Sequence, residues 1–372
     1  MTAGIGQLSA LRSVVVLLPD YRRVTAGVGN VLHLAADFAR CDGLDTTLVV
    51  IGSVGAESAR TDAECLLGAP APFAVTAIAD AQQLRSLRVD LAVATHWTTA
   101  EAALAVDALG TAYFYQDDER LFYPRGSEYH LAEATQRLGH FPLVGAPCLL
   151  DRFGARGHLV RPRLAASRPP DGHDDTARDG LLLYGRPTEP RNGFFLAASA
   201  LRELAGRGQL PAVTAAGEQF STRQLGVSDL MRCAGFRPRS ELAALYAGHA
   251  IGLVPMLSAH PGVVPYELAA CGVNVVVPRA LENECPFGRP SPVISVEPRI
   301  EAIAAALEEA ARRPPLPESE RERIRAWFAG APQDVPAFVD DVRAGRWAAS
   351  HRDRSNAAPG RAGGTLAGGG RG

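Results

Sequence analysis

The stretch LLLYGRPTEPRNG, residues 181–193, decides how the chain is read. An apolar run with the look of a strand passes into a Gly185-Arg186 turn, and a second arginine, Arg191, follows five residues on. In α/β proteins ligands bind outside the carboxyl ends of parallel strands, so two guanidinium groups at such an end can clamp an anion, a phosphate foremost. Taken alone, the two arginines could equally cap a helix or stand solvated on a loop. The flanking sequence discriminates between these readings.

Downstream, short apolar runs alternate with amphipathic ones: FFLAASALRELAGRG, PAVTAAG, SELAALYAGHA, IGLVPM, PYELAACG, VNVVVP and IEAIAAALEEAARR. The same alternation precedes it. SVVVLLPD (13–20), NVLHLAADFARC (30–41) and DTTLVVIG (45–52) form a βαβ unit, and DLAVAT (90–95), a helix TTAEAALAVDAL (98–109) and TAYFYQ (111–116) continue it. Between the two halves, RPRLAASRPPDGHDDTARDG (161–180) exchanges apolar periodicity for Pro, Gly, Asp and Arg. The reading is α/β: two Rossmann-like, doubly wound parallel-sheet domains facing across a cleft. Residues 1–162 form the N-terminal domain, 163–180 a linker and 181–319 the C-terminal domain. Residues 320–347 are helical and pack back on the first domain, and the Gly/Arg-rich tail 348–372 is disordered. A cleft between two such domains suits a substrate with two chemically distinct parts.

Composition narrows the partners. The chain has 372 residues, 47% of them hydrophobic, enough for two cores, and a formal charge of −2 gives no reason to expect nucleic acid. Six scattered cysteines, without Cys-x-x-Cys or His at zinc-ligand spacing, indicate neither a zinc site nor a disulfide framework. The N-terminal apolar run is too short and strand-like for a signal peptide, and no run reaches the roughly 20 apolar residues that span a bilayer. A reduced cytoplasm without an integral membrane segment is the expected setting.

The order of motifs in the second half carries a resemblance. Gly235-Phe236, then Glu241 to Tyr246, then Pro255 to Ser258, then Glu267 opening Leu268-Ala269-Ala270-Cys271-Gly272, is similar to the nucleotide-sugar-binding half of GT-B glycosyltransferases of the retaining family 4. In the first half, ATHWTTAEAA (94–103) and YFYQDDERLFYPRGSEYHLAEATQRLG (113–139) look like the subgroup typified by the rhamnosyltransferase of bacterial S-layer glycan assembly. The resemblance covers roughly residues 14–345, the span of two domains. It implies transfer of a sugar, a deoxyhexose such as rhamnose among the candidates, from a nucleotide-diphosphate donor to a glycan or secondary-metabolite hydroxyl. It further implies retention at the anomeric carbon, and needs neither cofactor nor metal. A sugar-nucleotide epimerase and a noncatalytic nucleotide-sugar-binding protein are the alternatives; an NAD enzyme is disfavoured.

The resemblance assigns Glu267 to the ribose hydroxyls, while a carboxylate early in a helix is also favoured by the macrodipole. It assigns Arg186 and Arg191 to the diphosphate, where they would meet the charge that grows as the glycosidic bond to phosphate breaks. Phe236, His260 and Gly262 complete the donor side. Two departures stand out: Asn192 replaces the family's lysine, and Ala259 replaces its first glutamate. In the first domain, Gly27 and Gly29 in TAGVGN stand between strand and helix, where backbone amides can approach a phosphate or sugar. The pattern lacks the third glycine of a dinucleotide fingerprint, and there is no Walker Gly-Lys-Ser/Thr. For catalysis, Asp117 after the Tyr113-Phe114-Tyr115 strand would orient donor or acceptor, or else cap its turn. His96 would line the cleft, or serve structure alone. The Asp117-Asp118 pair could hold magnesium, but the family resembled needs no metal at the diphosphate.

Overall fold

The computed structural model describes residues 5–153, 157–259, 262–278 and 291–346; His260 and the tail from 348 lie outside them. The first sheet has seven strands: β1 (Ser13–Pro19), β2 (Asp45–Ile51), β3 (Ala74–Ile78), β4 (Arg88–Ala94), β5 (Asp107–Tyr115), β6 (Phe141–Val144) and β7 (His158–Leu159). Their order is β3-β2-β1-β4-β5-β6-β7. The second sheet has six: β8 (Leu181–Gly185), β9 (Val213–Gly217), β10 (Arg232–Gly235), β11 (Ile251–Leu253), β12 (Asn274–Pro278) and β13 (Val293–Val296), in the order β10-β9-β8-β11-β12-β13. All pairings between these strands are parallel. Helices cover both faces, which is why β1 and β12 are almost wholly apolar rather than alternating.

On the first sheet lie α1 (Ala26–Ala39), α2 (Ala56–Leu67), α3 (Trp97–Ala105), α4 (Ser127–Thr135) and α5 (Pro147–Phe153). On the second lie α6 (Phe194–Gly206), α7 (Arg239–Ala247), α8 (Val264–Ala270), α9 (Ile300–Arg312) and α10 (Glu318–Ala329). The last helix, α11 (Asp334–Arg343), returns to the first domain. Its Phe338 sits edge-on to Phe38 of α1, with ring centroids 6.2 Å apart, and stacks on Phe141 at 5.8 Å. Among the buried residues of α6, Phe194, Ala197, Ala198, Leu201 and Leu204 follow the three-and-four spacing of one helix face, and Ala200 widens it.

Three local expectations differ from the structure. Of the helices expected over 320–347 to pack on the first domain, only α11 does so; Phe328 of α10 packs against Tyr266 of α8 in the second domain. Helix α1 begins at Ala26 rather than Asn30, because Thr25 caps it by accepting from the Val28 amide. Gly27 and Gly29 therefore belong to its first turn. The helix expected over 98–109 ends at Ala105, and Asp107 opens β5 by pairing with Arg88. Alanine-rich composition favours helix locally, but the ladder partner overrides it.

The interdomain segment is clipped to both domains. Arg161 grips Asp334 of α11 through Nε (2.8 Å), Nη2 (2.5 Å) and its own amide (2.8 Å). Arg163 pairs with Asp37 of α1, Arg239 of α7 donates to the Leu164 carbonyl at 2.9 Å, and the Ala165 amide donates to Glu267 of α8 at 2.5 Å. Among the described residues no helix is long and apolar enough to cross a membrane.

Candidate functional site

Strand order reverses between β1 and β4 in the first sheet and between β8 and β11 in the second. The loops leaving these strands flank the crevice where an α/β sheet binds its ligand. Arg186 and Arg191 leave β8; His96 leaves β4, and Asp117 and Glu119 leave the neighbouring β5.

On the second domain, the loop after β8 is held by Asn192, which is only 4% exposed. Its Oδ1 accepts from the Arg186 amide (3.1 Å), and its Nδ2 donates to the Tyr184 carbonyl (3.1 Å) and lies 3.5 Å from the Met256 sulfur. A short amide that ties β8 to the loop after β11 thus occupies the place of the lysine in the family resembled. Arg186 donates to Glu189 on its own loop at 2.8 Å. Arg191 reaches into the other domain. Its guanidinium carbon lies 3.5 Å over the Phe122 ring, and its Nε is buried without a hydrogen-bond partner.

The three consecutive acids after β5 do different jobs. Asp118 is fully buried and ion-paired with Arg120 and Arg152, with Gln136 as a third donor. Asp117 uses one oxygen, Oδ1, to accept from the Asp118 amide (2.7 Å) and, across the cleft, from the Ala259 amide (3.1 Å). Glu119 uses Oε2 to accept from the Trp97 amide (2.6 Å) and the Tyr113 hydroxyl (2.9 Å), 3.9 Å from His96 Nε2. Burial pushes the Glu119 carboxyl up to about 8, against the pull of those two donors and of Arg191. Glu119 was not among the residues the sequence pointed to; an acid four residues beyond the aromatic strand end Tyr115, ahead of Phe122 and Tyr123, was the available signal.

His96 caps α3: its Nδ1 accepts from the Thr98 amide at 3.4 Å and lies 2.8 Å from the Thr98 hydroxyl. Burial first, and Arg191 second, hold its imidazole down to about 4, so it is neutral at physiological pH. With Nδ1 accepting, the ring proton sits on Nε2, and His96 faces Glu119 as a donor.

Gly27 lies at the crevice, where its carbonyl accepts from Gln116 Nε2 at 3.1 Å and a Cβ would come 3.7 Å from Gln116 Oε1. Gly29 faces away, against Leu66 and Val24, and serves the packing of α1. Phe236 is 55% exposed, with the first-domain Arg23 guanidinium 5.2 Å from its ring centre. Gly235 before it adopts φ +71°, a left-handed turn that glycine accepts without strain. Gly262 also has positive φ, +74°.

Glu267 is buried, 2% exposed, in the first turns of α8. Its oxygens accept from the Ala165 amide (2.5 Å) and the Tyr246 hydroxyl (3.1 Å). Burial raises its carboxyl, opposed by these bonds and by Arg239. Glu267 is thus engaged by the interdomain segment at the position the resemblance gives to ribose. Among the described residues no group of three or more His, Cys, Asp and Glu is arranged to hold a metal ion.

Residues 179–308 match the family described as WsaF, C-terminal domain. The O-antigen biosynthesis protein RfbC of Myxococcus xanthus is 30% identical over 311 residues, 79% of this chain and 24% of that protein. The chain therefore spans about a quarter of the length of the curated relative it matches. Sucrose-phosphate synthase from Thermosynechococcus elongatus superposes with a TM-score of 0.64 at 13% identity, over 90% of this chain and 99% of that one. A glycosyltransferase from Rickettsia africae does so with a TM-score of 0.60 at 11% identity, over 89% and 98%. Identities this low speak for the fold alone. With parallel sheets of seven and six strands whose switch points face one cleft, the chain has the GT-B fold of glycosyltransferases.

Proposed function

We propose that this chain is a glycosyltransferase that moves a sugar from a nucleoside-diphosphate donor to a hydroxyl of a glycan or secondary-metabolite acceptor, in the assembly of a cell-surface polysaccharide. One observation carries the reading. Arg191, on the loop leaving the switch-point strand of the second domain, stands in the cleft with its Nε unpartnered, against a first-domain wall of Phe122, Glu119 and His96. A guanidinium so placed can meet a diphosphate on one side and the reacting sugar on the other.

Arg186 is the second cation, freed from Glu189 when a diphosphate competes for it. Phe236 offers an exposed ring for the nucleobase, and Glu267 accepts ribose hydroxyls once the Ala165 amide releases it. Asp117 is the acceptor-side carboxylate. The guanidinium groups do the electrostatic work, without a metal. The first-half motifs that resemble the rhamnosyltransferase subgroup are our ground for a deoxyhexose such as rhamnose on a dTDP carrier, transferred with retention in the cytoplasm, and similarity to an O-antigen biosynthesis protein supports a polysaccharide as the product. In that reaction the anomeric carbon–oxygen bond to the diphosphate breaks and a bond to the acceptor oxygen forms. The departing diphosphate takes the hydroxyl proton.

The test is release of free nucleoside diphosphate from a panel of dTDP-, UDP- and GDP-sugars, with and without oligosaccharide acceptors, followed by mass spectrometry. Release from one donor, stimulated by an acceptor that gains the sugar mass, is the expected result. Isomerisation of the donor sugar without acceptor consumption would move the assignment to an epimerase, and binding without turnover of any donor would move it to a noncatalytic binder.

A further inference from the structure

Glu119 is spent on none of the roles above, yet it lies where the two domains meet. Only 5% of it is exposed. Its Oε2 anchors the first amide of α3 and the Tyr113 hydroxyl, and three residues on, Phe122 carries the Arg191 guanidinium on its face. Arg191 and Glu119 attract each other without closing a direct ion pair, and Arg191 keeps an unpartnered Nε.

We propose that Glu119 is a positioning residue for Arg191: the ionised carboxylate holds the guanidinium on the first-domain side of the cleft, and a proton on Glu119 releases it to a diphosphate. This rests on the reading of Arg191 as a diphosphate ligand.

The groups facing Glu119 support this division of labour. From β5 come Tyr113 and Tyr115, both held protonated by burial and by Glu119 itself. From the start of α3 comes His96, kept neutral; Tyr123, also raised by burial, lies beyond it. On its own loop, Asp118 is matched by Arg120 and Arg152, and Asp117 by two backbone amides. Among the charges acting on Glu119, Arg191 is the cation and Asp117 opposes it. Burial places the carboxyl's titration just above neutrality, about 8. The sign follows. Arg191 favours the ionised form, so its departure to a diphosphate leaves Glu119 holding a proton more tightly. By linkage, nucleotide binding takes up a proton and affinity falls as pH rises.

The experiment is calorimetric titration of the full chain with dTDP-glucose, and with UDP-glucose in parallel, from pH 6.5 to 9.5 in buffers of different ionisation enthalpy. The diphosphate of these donors does not titrate in that range, and the base N3–H begins to ionise only above about pH 9, so the slope is read between pH 6.5 and 9. Wild type is expected to lose roughly tenfold in affinity across it, with net proton uptake on binding, as a single linked proton allows. Glu119→Gln is expected to bind as wild type does at pH 6.5 but with a flat profile and no proton uptake. Arg191→Ala is expected to bind more weakly, also with a flat profile, and it serves as the second variant should Glu119→Gln fail to fold. A wild-type profile that is flat, or one whose slope survives in both variants, overturns the inference while leaving the donor reading intact. No binding of either nucleotide at any pH, or unchanged affinity in Arg191→Ala, overturns the donor reading and this inference with it.

Discussion

Substituting Glu267 separates its role in holding the domains together from its role toward the donor. In the structure its two oxygens accept from the Ala165 amide at 2.5 Å and the Tyr246 hydroxyl at 3.1 Å, in a site 2% exposed. Glu267→Ala strands both donors without water, at about 1–3 kcal/mol each, so a loss of about 2–6 kcal/mol is expected. Glu267→Gln keeps one oxygen for Ala165 and turns its amide to Tyr246, whose hydroxyl can rotate to accept. It forfeits charge assistance but escapes the desolvation that raises the carboxyl, so a net loss of about 0–2 kcal/mol is expected. Because the folded-state pKa is raised, the folded protein holds this proton more tightly than the unfolded chain. The carboxyl's contribution to stability is therefore full below the unfolded value and shrinks as pH rises through it toward the folded value. Glu267→Gln should remove that part of the pH slope. Urea unfolding from pH 4 to 8 reads all three quantities, and dTDP affinity of the Gln variant reads the donor role. Loss of under about 1 kcal/mol in Glu267→Ala would refute the buried contact with Ala165. Unchanged dTDP affinity in Glu267→Gln, with altered stability, would leave Glu267 as a hinge anchor only.

Two further outcomes follow from burial and exposure. Phe236→Ala removes a 55% exposed ring, so it should leave the unfolding midpoint unchanged. If the ring stacks on the base, dTDP affinity should fall by about 1–3 kcal/mol, or roughly 5- to 150-fold, by fluorescence titration; equal affinity would move the base elsewhere. Phe338→Ala empties a site packed by Phe38 and Phe141 and should cost about 3–5 kcal/mol in urea unfolding. A loss below 1 kcal/mol would mean that α11 does not dock on the first domain.

The sheets were legible because parallel strands buried on both faces must be continuously apolar, as in Val14 to Leu18 and Val275 to Pro278. The start of α1 was not, because Gly27 and Gly29 look like loop residues. In the structure both fall in the first turn of α1 behind the Thr25 cap, and Gly29 packs against Leu66 of α2. Arg191 was legible as a cation at a strand end. Its seat on Phe122 was not, because the two meet only through the docking of separate domains. The partner of Glu267 was illegible for a different reason. It is a backbone amide 102 residues away, and a backbone donor has no side-chain signature.

The run Asp117-Asp118-Glu119 shows where sequence reading stops. Three acids in a row carry the same formal charge and invite one shared role, such as a magnesium site, yet each has been given different neighbours. Two arginines pair with Asp118 and a glutamine amide donates to it, and it belongs to the core of the first domain. Asp117 is latched to the second domain by the Ala259 amide. Glu119 has been left with two neutral donors on one oxygen and a cation that belongs to the other domain. A group that is buried, acidic and dependent on a movable countercharge is the one whose proton must respond when the cleft fills. Differences in local solvation and partners, rather than in residue type, therefore separate the structural acid, the latch and the titrating group in this cleft.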